Sequence, residues 1–423
     1  AGLSPGRPAA RRAMAIAVAG LLGLAVAMGV GRFAFTPMLP LMMRDGLLNA
    51  AGGAELAAAN YAGYLLGALS AAAASARVAA RWPGRPLAWV LGSLLAVVWL
   101  TAAMAWAQAP LAWLLLRALA GLFSAWALVG IGAWAMPALA AAGLARADGW
   151  LFAGVGLGIS AAGGLVWWWA SALAAPALWL ALAALAALLL VAMGGVLRQA
   201  GPPGAAAASQ PGQQAPQARQ TEQPQRPQPA MPAGAWPLVV CYGSFGFGYI
   251  LPATFLPVMA RALVDDARWF GLAWPLFGLA AAASTLLSSR FAAGWPRQRL
   301  WALCQAAMAL GVALPIANRS GASIALAALL VGGSFMVATM AAMQLARTWA
   351  PHNATPLLGR MTAAFALGQI AGPLVVRGLA AVAGAMPAAL QQVDAITLTS
   401  ASAALLLAVT AAWLWRGLPA PRG

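Results

Sequence analysis

Charge is what this chain has least of. Only 7% of its 423 residues are Asp, Glu, Lys or Arg, where a water-soluble globule carries about 25%. So little charge cannot clothe a surface in water, and a free soluble globule is excluded. Acids are scarcer still, limited to Asp45, Glu55, Asp148, Glu222, Asp265, Asp266 and Asp394, and His352 is the lone histidine. The two cysteines, Cys241 and Cys304, fall in apolar runs and suggest neither a disulfide framework nor a metal site. Missing too are His-Glu-x-x-His, a Gly-Lys-Ser/Thr phosphate loop and Cys-x-x-Cys. Gly29-x-Gly31 is no dinucleotide fingerprint, because no strand precedes it. Paired carboxylates are absent from the apolar runs. The chain is therefore not read as an enzyme, and no cofactor is called for. Strand-like alternation is lacking as well, which argues against a membrane β-barrel.

What is present is apolar: 63% of the residues are hydrophobic and the mean hydropathy is +0.83. Runs of about 20 such residues recur, each long enough to cross a hydrocarbon core as a helix. The expected fold is an all-α polytopic membrane protein whose first partner is the lipid bilayer. Twelve helices are predicted near 13–43, 56–80, 87–107, 110–138, 150–172, 176–198, 235–260, 268–290, 299–317, 321–349, 357–384 and 392–416. Arg11-Arg12 before an apolar run resembles the start of a signal peptide. That run continues to about Met43, too long for a signal core, so an uncleaved first helix is expected.

The formal charge of +17 comes entirely from arginine, and its placement is informative. With the amino terminus taken as cytoplasmic, most arginines fall in alternate loops on that side, among them Arg11, Arg12, Arg77, Arg81, Arg85, Arg146, Arg198, Arg290, Arg297, Arg299, Arg347, Arg360 and Arg416. The other side keeps Arg44, Arg261, Arg268 and Arg319. This positive-inside asymmetry puts both termini in the cytoplasm of a bacterial inner membrane. No basic-aromatic module accompanies the charge, so no nucleic acid is expected as a partner.

The chain also repeats itself. Gly29, Gly31, Leu39, Pro40, Met42 and Arg44 align without a gap on Gly246, Gly248, Leu256, Pro257, Met259 and Arg261. Arg77-Val-Ala-Ala-Arg81-Trp82-Pro83 returns as Arg290-Phe-Ala-Ala-Gly294-Trp295-Pro296. Gly149, Ala153, Leu157 and Gly158 fall on Gly359, Ala363, Leu367 and Gly368. Three landmarks in one order predict two six-helix bundles, residues 1–198 and 235–423, with function where they face each other. The Pro/Gln-rich residues 199–234 cannot bury enough apolar area to order themselves, and are expected to be a disordered cytoplasmic linker. Small residues spaced by four, including Gly31 in helix one and Gly154 and Gly158 in helix five, predict close helix packing or sliding surfaces.

Six plus six helices in parallel repeats around a central loop resemble the major facilitator superfamily over essentially the whole chain. More narrowly, Gly29 to Pro40, Ala59-Asn60-Tyr61-Ala-Gly63-Tyr64-Leu-Leu-Gly67, and Gly359 to Gln369 and Pro373 resemble the YbfB/YjiJ family of bacterial transporters. The resemblance implies alternating access. Arg117 with Gly121 resembles the motif that the superfamily places beside its substrate path. Gly154, Gly158, Gly163 and Gly164 resemble its antiporter motif in helix five, although Ile159 stands where a proline is expected. After helix two, Gly84-Arg85 is present but Arg81 takes the place of the usual acid.

An ionisable side chain in a membrane costs at least ~2.5–3.5 kcal/mol at a helix centre and is a functional candidate by default. Arg32, Arg117 and Arg377 qualify. Arg32 and Arg117 would hold a carboxylate or phosphate by charge-assisted hydrogen bonds. Against this, Arg117 has an alternative as a brace to carbonyls and rings, Arg32 as a lock onto a neighbour near Asn60 or Tyr61, and Arg377 as a snorkelling end residue. Asn60, Tyr61, Tyr64, Trp126, Tyr249, Trp274 and Gln369 are further candidates for a substrate path. Gly31, Pro37, Gly121, Gly154, Gly158, Gly368 and Pro373 are candidates for packing or gating. No acid lies deep in an expected helix, so a buried proton-carrying carboxylate is not supported. The expected function is secondary transport of a small organic molecule by a monomer rocking around a watery central pocket. Export of an amphipathic or anionic metabolite leads; uptake of a small carboxylate and a non-transporting sensor are the rivals.

Overall fold

A computed structural model describes residues 7–81, 87–142, 144, 148–199, 234–261, 271–292, 294–350, 354–382, 384 and 393–418. The expected linker (apart from its end residues Gln199 and Gly234), His352, Asp265, Asp266, Arg268 and Gly84-Arg85 lie outside these residues.

Among the described residues all regular structure is helical. The first apolar run forms α1 (Arg7–Leu24), a π-helical turn (Ala25–Val30) and α2 (Phe35–Arg44). Then come α3 (Ala50–Arg81), α4 (Ala88–Ala103), α5 (Pro110–Ala141), α6 (Asp148–Trp169) and α7 (Ala175–Gln199). The second set is α8 (Trp236–Arg261), α9 (Ala273–Phe291), α10 (Arg297–Ala317), α11 (Gly321–Trp349), α12 (Thr355–Val382) and α13 (Ala395–Arg416). With α1, the π turn and α2 counted as one crossing, the membrane helices are twelve. Nine of these spans are long and apolar enough to cross a membrane by that measure alone, and Ala88–Ala103 and Ala273–Ser288 are shorter apolar helices.

The two sets pack in the same pattern. As α3 lies on α5, so α9 lies on α11; as α1 and the π turn lie on α6, so α8 lies on α12; α4 with α7 corresponds to α10 with α13. The sets meet along α3–α12 and α6–α9, and α2 adds a contact to α8. By the internal repeat α3 corresponds to α9 and α6 to α12, so the two long seams are one seam seen twice. The repeat also sets residue 36 on residue 253, and the Thr36 hydroxyl donates to the Ala253 carbonyl at 2.5 Å. A residue can touch its own counterpart only close to a twofold axis. The pseudo-twofold axis therefore passes between these two positions.

Small residues set the spacing. A methyl group at Gly63 would run into the Ala118 carbonyl, and one at Gly121 into that of Asn60. Such close backbone approach holds helices together in lipid, where burial of apolar surface gives no advantage.

The first helix differs from the continuous one expected. The Gly31 and Phe33 N–H groups reach back five residues, to the Val26 and Met28 carbonyls at 3.0 Å each, which widens the turn. Pro37 has no N–H to return to Phe33, whose carbonyl takes the Thr36 N–H at 3.2 Å instead. The start of α3 also differs. Asn49 Oδ1 accepts the Gly52 N–H at 2.9 Å, and this cap begins the helix at Ala50. Glu55 therefore stands inside a helix, in its second turn, and not just before the expected start at residue 56. α4 ends earlier than the expected 87–107, at Ala103, and runs into a turn.

Candidate functional site

The break in the first helix leaves the carbonyls of Gly31 and Arg32 without ordinary helical partners in the middle of the protein. Arg117, on α5, fills that need: Nη1 donates to the Gly31 carbonyl at 3.2 Å and Nη2 to the Arg32 carbonyl at 3.0 Å. Asn60 Nδ2 donates to the Arg117 carbonyl at 2.9 Å and reaches the Gly31 carbonyl at 3.5 Å. The Phe35 ring centroid lies 5.0 Å from the Arg117 guanidinium carbon. Arg117 is thus engaged with its own half, in the geometry of a brace.

Arg32 is directed differently, across to the second half. Its Nη2 donates to Gln369 Oε1 at 2.6 Å, and Gln369 Nε2 donates to the Tyr249 hydroxyl at 2.8 Å. Its guanidinium carbon lies 3.8 Å from the Tyr64 ring centroid, 5.6 Å from that of Tyr61 and 5.2 Å from that of Phe33. Tyr249 is stacked between Phe335 at 5.5 Å and Phe365 at 5.6 Å. The Tyr61 hydroxyl meets Thr254 Oγ1 at 2.9 Å, again across the seam. The repeat sets Arg32 on Tyr249, so two counterparts from the two halves converge on the single amide of Gln369.

The electrostatics of this cluster are unbalanced. Arg32 is 4% exposed, and its Nε has no partner among the described residues. Among the described residues the ion pairs are Arg44–Asp45, Arg319–Asp394 and Arg377–Glu55, and none involves Arg32. Aromatic faces recover part of the cost of burying a cation, but a buried charge without a counter-ion stays expensive. The side chains of Arg32, Gln369 and Tyr249 touch one another and are shielded from solvent, rather than facing an open watery pocket.

Of the residues singled out from the sequence, Arg32, Asn60, Tyr61, Tyr64, Arg117, Tyr249 and Gln369 come together here. Trp274 is fully buried and stands one ring further away, 6.3 Å from Phe33 and 4.8 Å from Phe277. Trp126 does not join them. It packs on Trp89 and Phe123 and donates to Ser70 Oγ at 3.0 Å, inside the first half. Arg377 lies away from the centre, and its Nε pairs with Glu55 Oε1 at 2.5 Å, joining α12 to α3. Its half-exposed side chain fits an end residue reaching outward, with Glu55 as its counter-ion.

The glycines pack as close contacts. Gly31 faces Ser124 and Val97, Gly154 the Leu21 backbone, Gly158 the backbones of Ala25 and Gly29, and Gly368 that of Gly243. Pro37 stands in the first turn of α2, and Pro373 is buried inside α12. The sequence reading missed Gly156 and Gly278, which face each other's backbone across the α6–α9 seam. Their signal was the same small-residue spacing, with Ala282 one turn after Gly278. It also missed Thr254, Phe335 and Phe365, which lie in runs too uniformly apolar to mark one face.

At the end of the first span a clasp ties together the connections that follow α2 and α6. Arg44 Nε pairs with Asp45 Oδ1 at 2.7 Å, Asp45 Oδ2 accepts the Ala175 N–H at 2.7 Å, and Arg44 Nη2 donates to the Leu173 carbonyl at 3.0 Å. Arg261, the counterpart of Arg44 in the repeat, instead donates across the halves to the Pro40 carbonyl. Partial burial alone would raise the Asp45 carboxyl. The hydrogen bonds from Arg44 and Ala175 and the charges of Arg44 and Arg261 outweigh it and hold the group below its ordinary value.

Comparisons with known proteins agree with this architecture. The family described as uncharacterised MFS-type transporter YbfB matches residues 24–411. A comparison with curated proteins finds no match. Among solved structures, the nucleoside transporter NupG is similar with a TM-score of 0.66 at 13% identity, covering 96% of this chain and 98% of that one. A D-xylose-proton symporter is similar with a TM-score of 0.65 at 12% identity, covering 97% and 98%. At such low identity the likeness is one of fold.

Proposed function

The chain belongs to the family of the MFS-type transporter YbfB, and from that premise we propose that this secondary transporter carries a small organic anion, bound at Arg32. The observation that supports this most is the buried Arg32 guanidinium, which faces the other half and has no carboxylate partner among the described residues. A carboxylate or phosphate on the substrate would supply the missing charge in the form a guanidinium binds best, by paired hydrogen bonds. To do so it would take the place of Gln369 Oε1. The amide would then be free to turn its N–H groups to the substrate, and the link from the first helix to α12 would loosen. Binding and the parting of the halves become one event.

The rest of the reading follows the sequence. Residues 1–198 and 235–423 form the rocking units, with 199–234 as a spacer, in an inner membrane with both termini cytoplasmic. The resemblance of Gly154, Gly158, Gly163 and Gly164 to the antiporter motif favours export by exchange of one anion for another. The unit acts as a monomer.

Counterflow in proteoliposomes with a panel of carboxylates and phosphates tests the site. Replacing a charge-assisted hydrogen bond of about 1.5–3 kcal/mol should weaken anion binding by about 10- to 150-fold in Arg32→Gln. If Arg32→Gln moves every anion as the wild type does, the site is not at Arg32.

A further inference from the structure

A groove of about 700 Å³ runs along the outside of the second half, between α10 and α13. Its floor is alanine: Ala302, Ala309, Ala404 and Ala411 are buried, while Leu303, Leu310 and Leu405 stand exposed along its rims. From Ala302 to Ala313 the groove extends about 16 Å at ~1.5 Å per residue. That is about half of a ~30 Å hydrocarbon core, the depth of one leaflet.

The two ends of the groove are electrically different. At one end α10 begins and α13 finishes, tied by Gln298 Nε2 donating to the Leu414 carbonyl at 2.8 Å. Arg416 and Trp415 line the groove there, and Arg299 lies with its guanidinium carbon 5.7 Å from a Trp415 ring centroid. Stacking engages the face of a guanidinium, whereas its N–H groups point outward in its plane. Trp415 is half exposed, as tryptophan is where lipid meets water. The acid that these two helices bring, Asp394, sits before α13 at the far end and pairs with Arg319 at 3.6 Å. The mouth is thus cationic, and the channel leading from it is apolar and one leaflet deep.

We infer that this groove binds an anionic glycerophospholipid, with one acyl chain along the alanine floor and its phosphate between Arg299 and Arg416. Basic mouths on apolar clefts between membrane helices suit such headgroups. The site is separate from Arg32, and it stands whatever the transported substrate is.

The full chain, purified in mild detergent and stripped of lipid, is titrated with phosphatidylglycerol or phosphatidylcholine of identical acyl chains. Bound lipid is read by native mass spectrometry. Two arginines, each worth about fivefold near an anionic headgroup, predict a preference for phosphatidylglycerol of about 25-fold. Arg299→Gln with Arg416→Gln should reduce that preference to near one while phosphatidylcholine still binds. Ala306→Leu with Ala408→Leu, which fills the groove and keeps the charges, should lower binding of both lipids. Equal affinity of the wild type for the two lipids, a preference unchanged in the arginine variant, or undiminished binding of both lipids in the filled variant overturns the inference. So does a change from dimer to monomer on filling the groove, which would make a second copy the occupant.

Discussion

Replacing Arg117 by methionine separates a brace from a ligand. In the structure Arg117 donates at 3.2 and 3.0 Å to the two carbonyls that the broken first helix exposes. Methionine keeps much of the length and none of the donors. Hydrogen bonds between membrane helices average ~0.6 kcal/mol and reach ~1.7, so losing two should cost roughly 1–3.5 kcal/mol. Removing a buried charge returns part of this, so Arg117→Lys is the needed companion: it keeps the charge but cannot fork to both carbonyls. Unfolding in mixed detergent micelles should show both variants less stable than the wild type. Arg32→Gln, which orphans no backbone carbonyl, should lose less. A fully stable Arg117→Met that no longer binds anions would refute the reasoning, because it would make Arg117 a substrate ligand.

Gly121→Leu should cost about 1–3 kcal/mol by overpacking against the Asn60 backbone; Gly132→Ala on the same helix, where nothing stands within 4 Å, should cost nothing and add up to about 1 kcal/mol in the same unfolding assay. Because the Asp45 carboxyl is held below its ordinary value, its contribution is complete at neutral pH and is lost as pH falls through the lowered value. Stability measured from pH 7 down to about 3 should therefore drop less steeply in Asp45→Asn than in the wild type, and parallel curves would rule out the clasp as the cause.

The fold was legible because its causes are local and periodic. Apolar runs marked the helices, and the doubled Gly-x-Gly, Leu-Pro and Trp-Pro landmarks marked the two halves. The candidate cluster was half legible. Arg32, Asn60, Tyr64 and Gln369 stood out as polar groups in apolar surroundings, which is where a cost must be repaid. Trp126 had the same polarity signal, yet it found its partner in Ser70, a choice made by helix rotation that composition does not encode. For Arg117 the sequence left an anion ligand and a brace to carbonyls side by side, and the turn to the Gly31 and Arg32 carbonyls is the second of these. That followed from the π turn at Ala25–Val30, a feature of how Gly29 and Gly158 approach. Glu55 was misjudged for a smaller reason, the Asn49 cap that starts α3 early.

The central claim is that the halves part along the pseudo-twofold axis to admit a substrate to Arg32. Cysteines at Thr36 and Ala253, in a chain with Cys241 and Cys304 replaced, can be joined by a short thiol cross-linker, and counterflow measured before and after. The account predicts that the joined protein stops transporting and recovers when the link is cleaved. Full transport with the link in place would contradict it.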